Sequence, residues 1–155
     1  MSTYMLIMRT ADEAAAQQAM AEAGMDFDAM IATMGRFNEE LFNAGVLVAA
    51  EGLEDPALGA VVDYTATPPV VTDGPYGESK ELFNGYWIID VPSRDAAIEW
   101  ALKIPAGPGV KTEIRRVPAI DEFPQDNEWI RREVEWRKEL IRRQAAKIDA
   151  RSEED

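Results

Sequence analysis

The segment Gly85-Tyr86-Trp87-Ile88-Ile89-Asp90-Val91 limits what this chain can fold into more than any other stretch. Side chains alternate across an extended strand, which puts Trp87, Ile89 and Val91 on one face and Tyr86, Ile88 and Asp90 on the other. Both faces are largely apolar, and neither suits water. Tyr4-Met5-Leu6-Ile7-Met8 has the same character and is too short for a helix. Two such strands predict a sheet with helices layered on one side and a further cover on the other.

Two amphipathic helices are expected to supply the first layer. Asp26 or Asp28 caps one of them, whose Met30, Met34, Phe37 and Leu41 recur at helical spacing before Gly45 closes it. That Met and Phe stripe reads as core rather than as a ligand box, because one face of such a helix must be buried. Ser93 caps the other, with Ala97, Ile98, Ala101 and Leu102 as its stripe and Pro105 as its stop. The alanine-rich stretch from Asp12 to Ala23 reads as a short helix or an ordered insertion. Val46-Leu47-Val48 and Ala60-Val61-Val62-Asp63-Tyr64 read as the two strands of a hairpin. Lys111 to Val117 reads as the closing strand, with Glu113, Arg115 and Val117 sharing a face.

This order predicts an α+β, ferredoxin-like fold in which an antiparallel sheet carries two helices on one face. Pairing two such sheets across a dyad would cover the opposite face, so the expectation is a homodimer, a dimeric α+β barrel. The expected boundaries are residues 1–118 for this domain and residues 119–155 for a linker and a C-terminal amphipathic helix. That helix is placed from about Glu128 to Lys147, with Trp129, Glu133, Trp136 and Leu140 along one line and Ile130, Val134 and Ile141 along the next. Its stripe needs a partner, in its own subunit or in a second one. Arg151 to Asp155 reads as disordered.

Charge and composition narrow the function classes. Residues 1–125 hold 20 acidic and 8 basic residues, against 9 and 8 in residues 126–155. A body this acidic repels phosphate backbones, so no direct nucleic-acid partner is expected. The tail's arginines and lysines alternate with Glu133, Glu135 and Glu139, the pattern of a solvated helix with ion pairs along its surface. The chain has no cysteine and no histidine, which removes disulfides, thiolate or zinc–imidazole metal sites and histidine-based triads. No metal and no cofactor is expected, since carboxylates alone occur here without an EF-hand or a closely spaced acidic run. No window approaches a membrane span and Met1–Thr10 has no leader pattern, so the expected location is cytoplasmic, with no membrane partner.

Val70-Val71-Thr72-Asp73-Gly74-Pro75-Tyr76-Gly77-Glu78-Ser79-Lys80-Glu81 closely resembles the signature of the YCII-related family, in its longer form named for a DGPF stretch. The flanks agree with it: Phe37 to Leu53 upstream, and Gly-Tyr-Trp-Ile-Ile-Asp-Val-Pro followed by Ala-Ile-Glu-Trp-Ala downstream. By pattern the likeness spans roughly residues 3 to 118. The resemblance implies a ferredoxin-like fold dimerising through its sheets, and an enzymatic role that in shorter members is attributed to a His and Asp pair in a cleft. This chain has no histidine to supply that pair, and Tyr76 replaces the motif's Phe, keeping the ring and adding a hydroxyl. Some longer relatives are associated with sigma-type transcription factors, which implies a regulatory role as a second option.

Asp73, Glu78 and Lys80 are the candidate catalytic residues, because a cation beside carboxylates can tune an acid or base. Glu51, Tyr76, Tyr86 and Arg115 are the candidate substrate-binding residues for a cleft between paired sheets. Each has a plainer reading: Asp73-Gly74-Pro75 as a turn, and Arg115 as one half of an ion pair. Two functions follow. One is a cofactor-free enzyme acting on a small organic molecule by carboxylate acid–base chemistry in the dimer cleft. The other is a non-catalytic ligand-binding or regulatory module linked to transcription.

Overall fold

In the computed structural model, residues 1–74 and 82–152 are described. Tyr76, Glu78 and Lys80 lie outside the described residues. The elements run β1 (Ser2–Thr10), α1 (Glu13–Glu22), α2 (Phe27–Asn43), β2 (Leu47–Gly52), β3 (Ala60–Asp63), β4 (Val70–Asp73), β5 (Leu82–Val91), α3 (Arg94–Ala101), β6 (Val110–Val117) and α4 (Glu128–Ser152). Met1–Val117 forms one compact unit and Pro118–Asp155 a second.

The central strands are the two with apolar residues on both faces. β1 and β5 pair antiparallel from Ser2↔Val91 to Thr10↔Leu82, with a bulge after Met8. β2 joins the outer edge of β5 and β6 the outer edge of β1, giving the antiparallel order β2-β5-β1-β6 of a ferredoxin-like sheet. Gly85, Trp87, Ile89 and Val91 are buried in strict alternation along β5, as period-two patterning requires. Trp87, Ile89 and Val91 pack with Tyr4, Leu6, Phe37, Leu41, Ala97 and Ile104 into one core. Phe37 meets the Trp87 ring edge-to-face at 5.5 Å, a favoured aromatic geometry.

Local sequence sets the helix ends. The Asp12, Asp26 and Ser93 side chains accept from the amides of Ala15, Ala29 and Ala96 at the starts of α1, α2 and α3, each satisfying an orphan donor. For α2 the cap is Asp26, while Asp28 lies in the first turn. The α3 stripe is narrower than expected: Ala97 is fully buried, but Leu102 is 80% exposed because it falls past the end of the helix, at the C-cap.

Strand pairing departs from the expected hairpin. β2 pairs with β5, and Ala60–Asp63 pairs with Val70–Asp73 in a separate two-stranded sheet. Val46 stays outside β2, although its carbonyl accepts the Asp90 amide. The reason is that Trp87 and Ile89 must be flanked by strands on both sides to be buried, and β2 supplies the outer flank.

Two glycines are dictated by close approach. At Gly85 an added Cβ would stand 2.8 Å from the Glu51 carbonyl oxygen, so its bareness lets β2 close on β5. Gly109 has φ +83°, and its carbonyl accepts the amides of Ala11 and Asp12, which pins the turn before β6 to the start of α1. An added Cβ there would strike the Asp12 carbonyl and sit 2.8 Å from the Ala16 nitrogen.

In the second unit a 3₁₀ turn at Ile120–Glu122 precedes α4, and the Asn127 side chain accepts the Trp129 amide at the helix entrance. The helix continues to Ser152, past the expected stop at Lys147 and through Arg151, because no glycine or proline interrupts it. Its charges pair along the surface: Arg132–Glu128 at 2.6 Å, Arg137–Glu133 at 2.6 Å, Lys138–Glu135 at 2.8 Å and Arg143–Glu139 at 2.9 Å. The Trp129 and Trp136 rings lie 6.4 Å apart, with the Arg132 guanidinium over Trp129. No described helix is long and apolar enough to cross a membrane.

Replacing Gly109 by alanine adds left-handed strain to a backbone clash and is expected to cost about 2–4 kcal/mol. Urea unfolding of the Gly109→Ala protein reads that loss directly, and an unchanged midpoint would refute the packing described for this turn.

Candidate functional site

Strand register fixes what each face of the sheet presents. Across the four strands, one row runs Ala50–Trp87–Leu6–Ile114 and faces the helices. The neighbouring rows, Glu51–Tyr86–Ile7–Glu113 and Ala49–Ile88–Met5–Arg115, face away from them. Ile7 is buried, while Met5, Tyr86 and Ile88 are half-buried. The sheet face turned away from α2 and α3 is therefore apolar at its centre, with Glu51 at the β2 edge and Glu113 and Arg115 at the β6 edge.

A concavity of about 440 Å³ opens between α2 and the end of the β2–β5 pair. Phe27, Met30, Ile31 and Met34 line it from α2, and Met8, Ala50 and Trp87 from the sheet. Its polar members are few. The Asn38 side-chain carbonyl accepts the Trp87 indole N–H at 2.7 Å, and the Asn84 amide donates to the Thr10 hydroxyl. Glu51 and Tyr86 also contribute to the lining, at the point where Gly52 and Gly85 bring no side chain. The Tyr86 ring leans on Phe83 with centroids 6.3 Å apart.

The α2 stripe thus divides. Phe37 and Leu41 are core as expected, whereas Met30 and Met34 are only partly buried and line the concavity. Asn38 was not among the expected site residues, nor was Trp87 or Asn84. A signal for Asn38 exists in the sequence: it continues the Met30, Met34 line at i+4, so a polar side chain stands on an otherwise apolar track.

The other expected site residues are distributed as follows. Glu51 and Tyr86 come together across β2 and β5. Asp73 is the exposed last residue of β4, opposite Ala60, and does not line the concavity. Arg115 donates from Nε to Glu113 at 2.5 Å, and Arg9 donates to the other oxygen of the same carboxylate at 3.1 Å. Arg9 was not foreseen. The Asp63 carboxyl is held below the usual range by the hydroxyl and then the amide of Thr65, and Glu135 by Lys138. Both are exposed and neither lines the concavity. Among the described residues no group of three or more acidic side chains is gathered to hold a metal.

The family model described as the YCII-related domain matches residues 3–120. The chain belongs to that family. No curated protein matches the chain.

The Asn38–Trp87 bond has a measurable weight. Asn38→Ala leaves the indole N–H without its acceptor and is expected to lower stability by about 1–3 kcal/mol. Asp73→Asn, on an exposed hairpin end, is expected to stay within about 0.5 kcal/mol of wild type. Paired urea titrations check both, and an equal loss in the two proteins would contradict the placement of these side chains.

Proposed function

We propose that this member of the YCII-related family is a ligand-binding module that takes a small, largely apolar organic molecule into the concavity between α2 and the β2–β5 edge. The observation that carries this reading is the lining itself. Three methionines, Phe27 and Trp87 surround a space of about 440 Å³, within the range of small-molecule sites. Methionine adapts to irregular apolar shapes, and the few polar groups can fix orientation. In this reading Asn38 and Asn84 hold the walls and supply the few polar groups beside an otherwise apolar ligand.

Binding is favoured over catalysis because Asp73 stands exposed on the β3–β4 hairpin, outside the lining. Acid–base work at a small molecule needs the carboxyl within hydrogen-bond reach of it. A homodimer formed through the sheet face turned away from α2 and α3 fits the same reading, since Met5, Tyr86 and Ile88 are half-buried there with charges at the edges, the layout of an interface core and rim. Sedimentation velocity at micromolar concentration would show the dimer mass, and a lone monomer would discard the pairing.

Ligand binding is tested by a thermal-shift screen of small apolar compounds on the full chain. A true ligand at a hundred times its Kd adds about 2.7 kcal/mol of stability, and the effect is expected to vanish in Met34→Trp protein, whose larger side chain fills the concavity. Compounds that stabilise both proteins equally, or a screen with no stabilising compound, would overturn the assignment.

A further inference from the structure

The β6 edge of the sheet face turned away from α2 and α3 holds a group that the concavity does not use. Arg9 on β1 and Arg115 on β6 both donate to Glu113, one to each carboxylate oxygen. Two guanidinium charges thus share one carboxylate, and both oxygens of Glu113 are already engaged by these donors. Arg9 Nε is buried and has no hydrogen-bond partner. The Arg115 side chain is 66% exposed, and beyond its Nε bond to Glu113 it has no other partner among the described residues.

We propose that this edge recognises the carboxylate of a small organic anion, held between Arg9 and Arg115 with Glu113 keeping the two guanidiniums in place. Arg115 spends only its Nε on Glu113, so its exposed terminal nitrogens stay available to an incoming carboxylate, beside the second positive charge that Arg9 holds on the same Glu113. The planar donor fork of arginine matches a carboxylate bidentately, which a lysine at either position would not do. Val117, two residues along β6 on the same face and 38% exposed, suits the apolar body of an organic acid better than an inorganic ion. The acidic charge of the rest of the chain is screened within about 10 Å at moderate salt, so the local donors decide. The site lies on the face opposite the α2 concavity and stands independently of it.

The probe is benzoate, with neutral benzamide as its isostere, added to full-length protein at constant ionic strength. Arginine Nε–H resonances in ¹H–¹⁵N spectra, assigned through Arg9→Lys and Arg115→Gln, report the two side chains directly. Benzoate is expected to shift both resonances saturably and benzamide to leave them still. Arg115→Gln is expected to weaken benzoate about tenfold, the loss of one charge-assisted bond, and as a mostly exposed side chain it should not disturb the fold. Met34→Trp is expected to bind benzoate as wild type does. Equal responses to the two probes, no saturable shift, or benzoate binding that survives Arg115→Gln but is lost in Met34→Trp would overturn the proposal. The last result would place benzoate in the concavity instead.

Discussion

The antiparallel pairing of β1 with β5 is the interaction on which the first unit depends. It joins residues about eighty positions apart, a loop-closure entropy that the apolar surface on both sides of the pair must offset. Once formed, it creates two apolar surfaces at once. One is covered by α2 and α3 through Phe37, Leu41 and Ala97, and β2 and β6 then add to the two free edges. Gly85 matters here because the outer strand reaches β5 only where no side chain intervenes, at the Glu51 carbonyl.

Much of this architecture was legible in local pattern. The alternation in Gly85–Val91, the stripe in α2 and the caps at Asp26 and Ser93 are short-range signals that the fold obeys. Partner choice was not legible. Val46-Leu47-Val48 and Ala60 to Tyr64 have the spacing of a hairpin, yet burial of Trp87 and Ile89 claims β2 for the larger sheet and leaves β3 to pair with β4. Leu102 misled for a related reason: helical periodicity holds only while the helix lasts, and α3 ends at Ala101. The end of α4 was misjudged in the opposite sense, since a chain with no glycine or proline signal can continue to Ser152.

The candidate site was legible in its residue types and much less in its location. Chemistry-bearing side chains drew attention to the Asp73 loop, but a concavity is made by shape. It forms where Gly52 and Gly85 withhold side chains from the sheet and where α2 presents methionines instead of the rings and branched residues further along. Asn38 shows how a polar residue can serve a site by holding a wall: its bond fixes the Trp87 indole, which is itself part of the lining. Arg9 was overlooked because a lone arginine at the end of an apolar strand looks like a boundary marker. Only the register, which sets Ile7 beside Glu113 and Met5 beside Arg115, reveals that it converges with them.

The absence of histidine bears on what either face of this sheet can do. Without imidazole, no side chain has an ordinary pKa near neutrality, and proton transfer would require a carboxyl or amine shifted by burial. Among the described residues the buried set is wholly apolar, with no buried polar or charged residue. Glu51 at the concavity is exposed, and both oxygens of Glu113 are engaged by guanidiniums. Neither face therefore relies on a buried carboxylate among the described residues, and at the β6 edge Glu113 serves to hold two arginines in position.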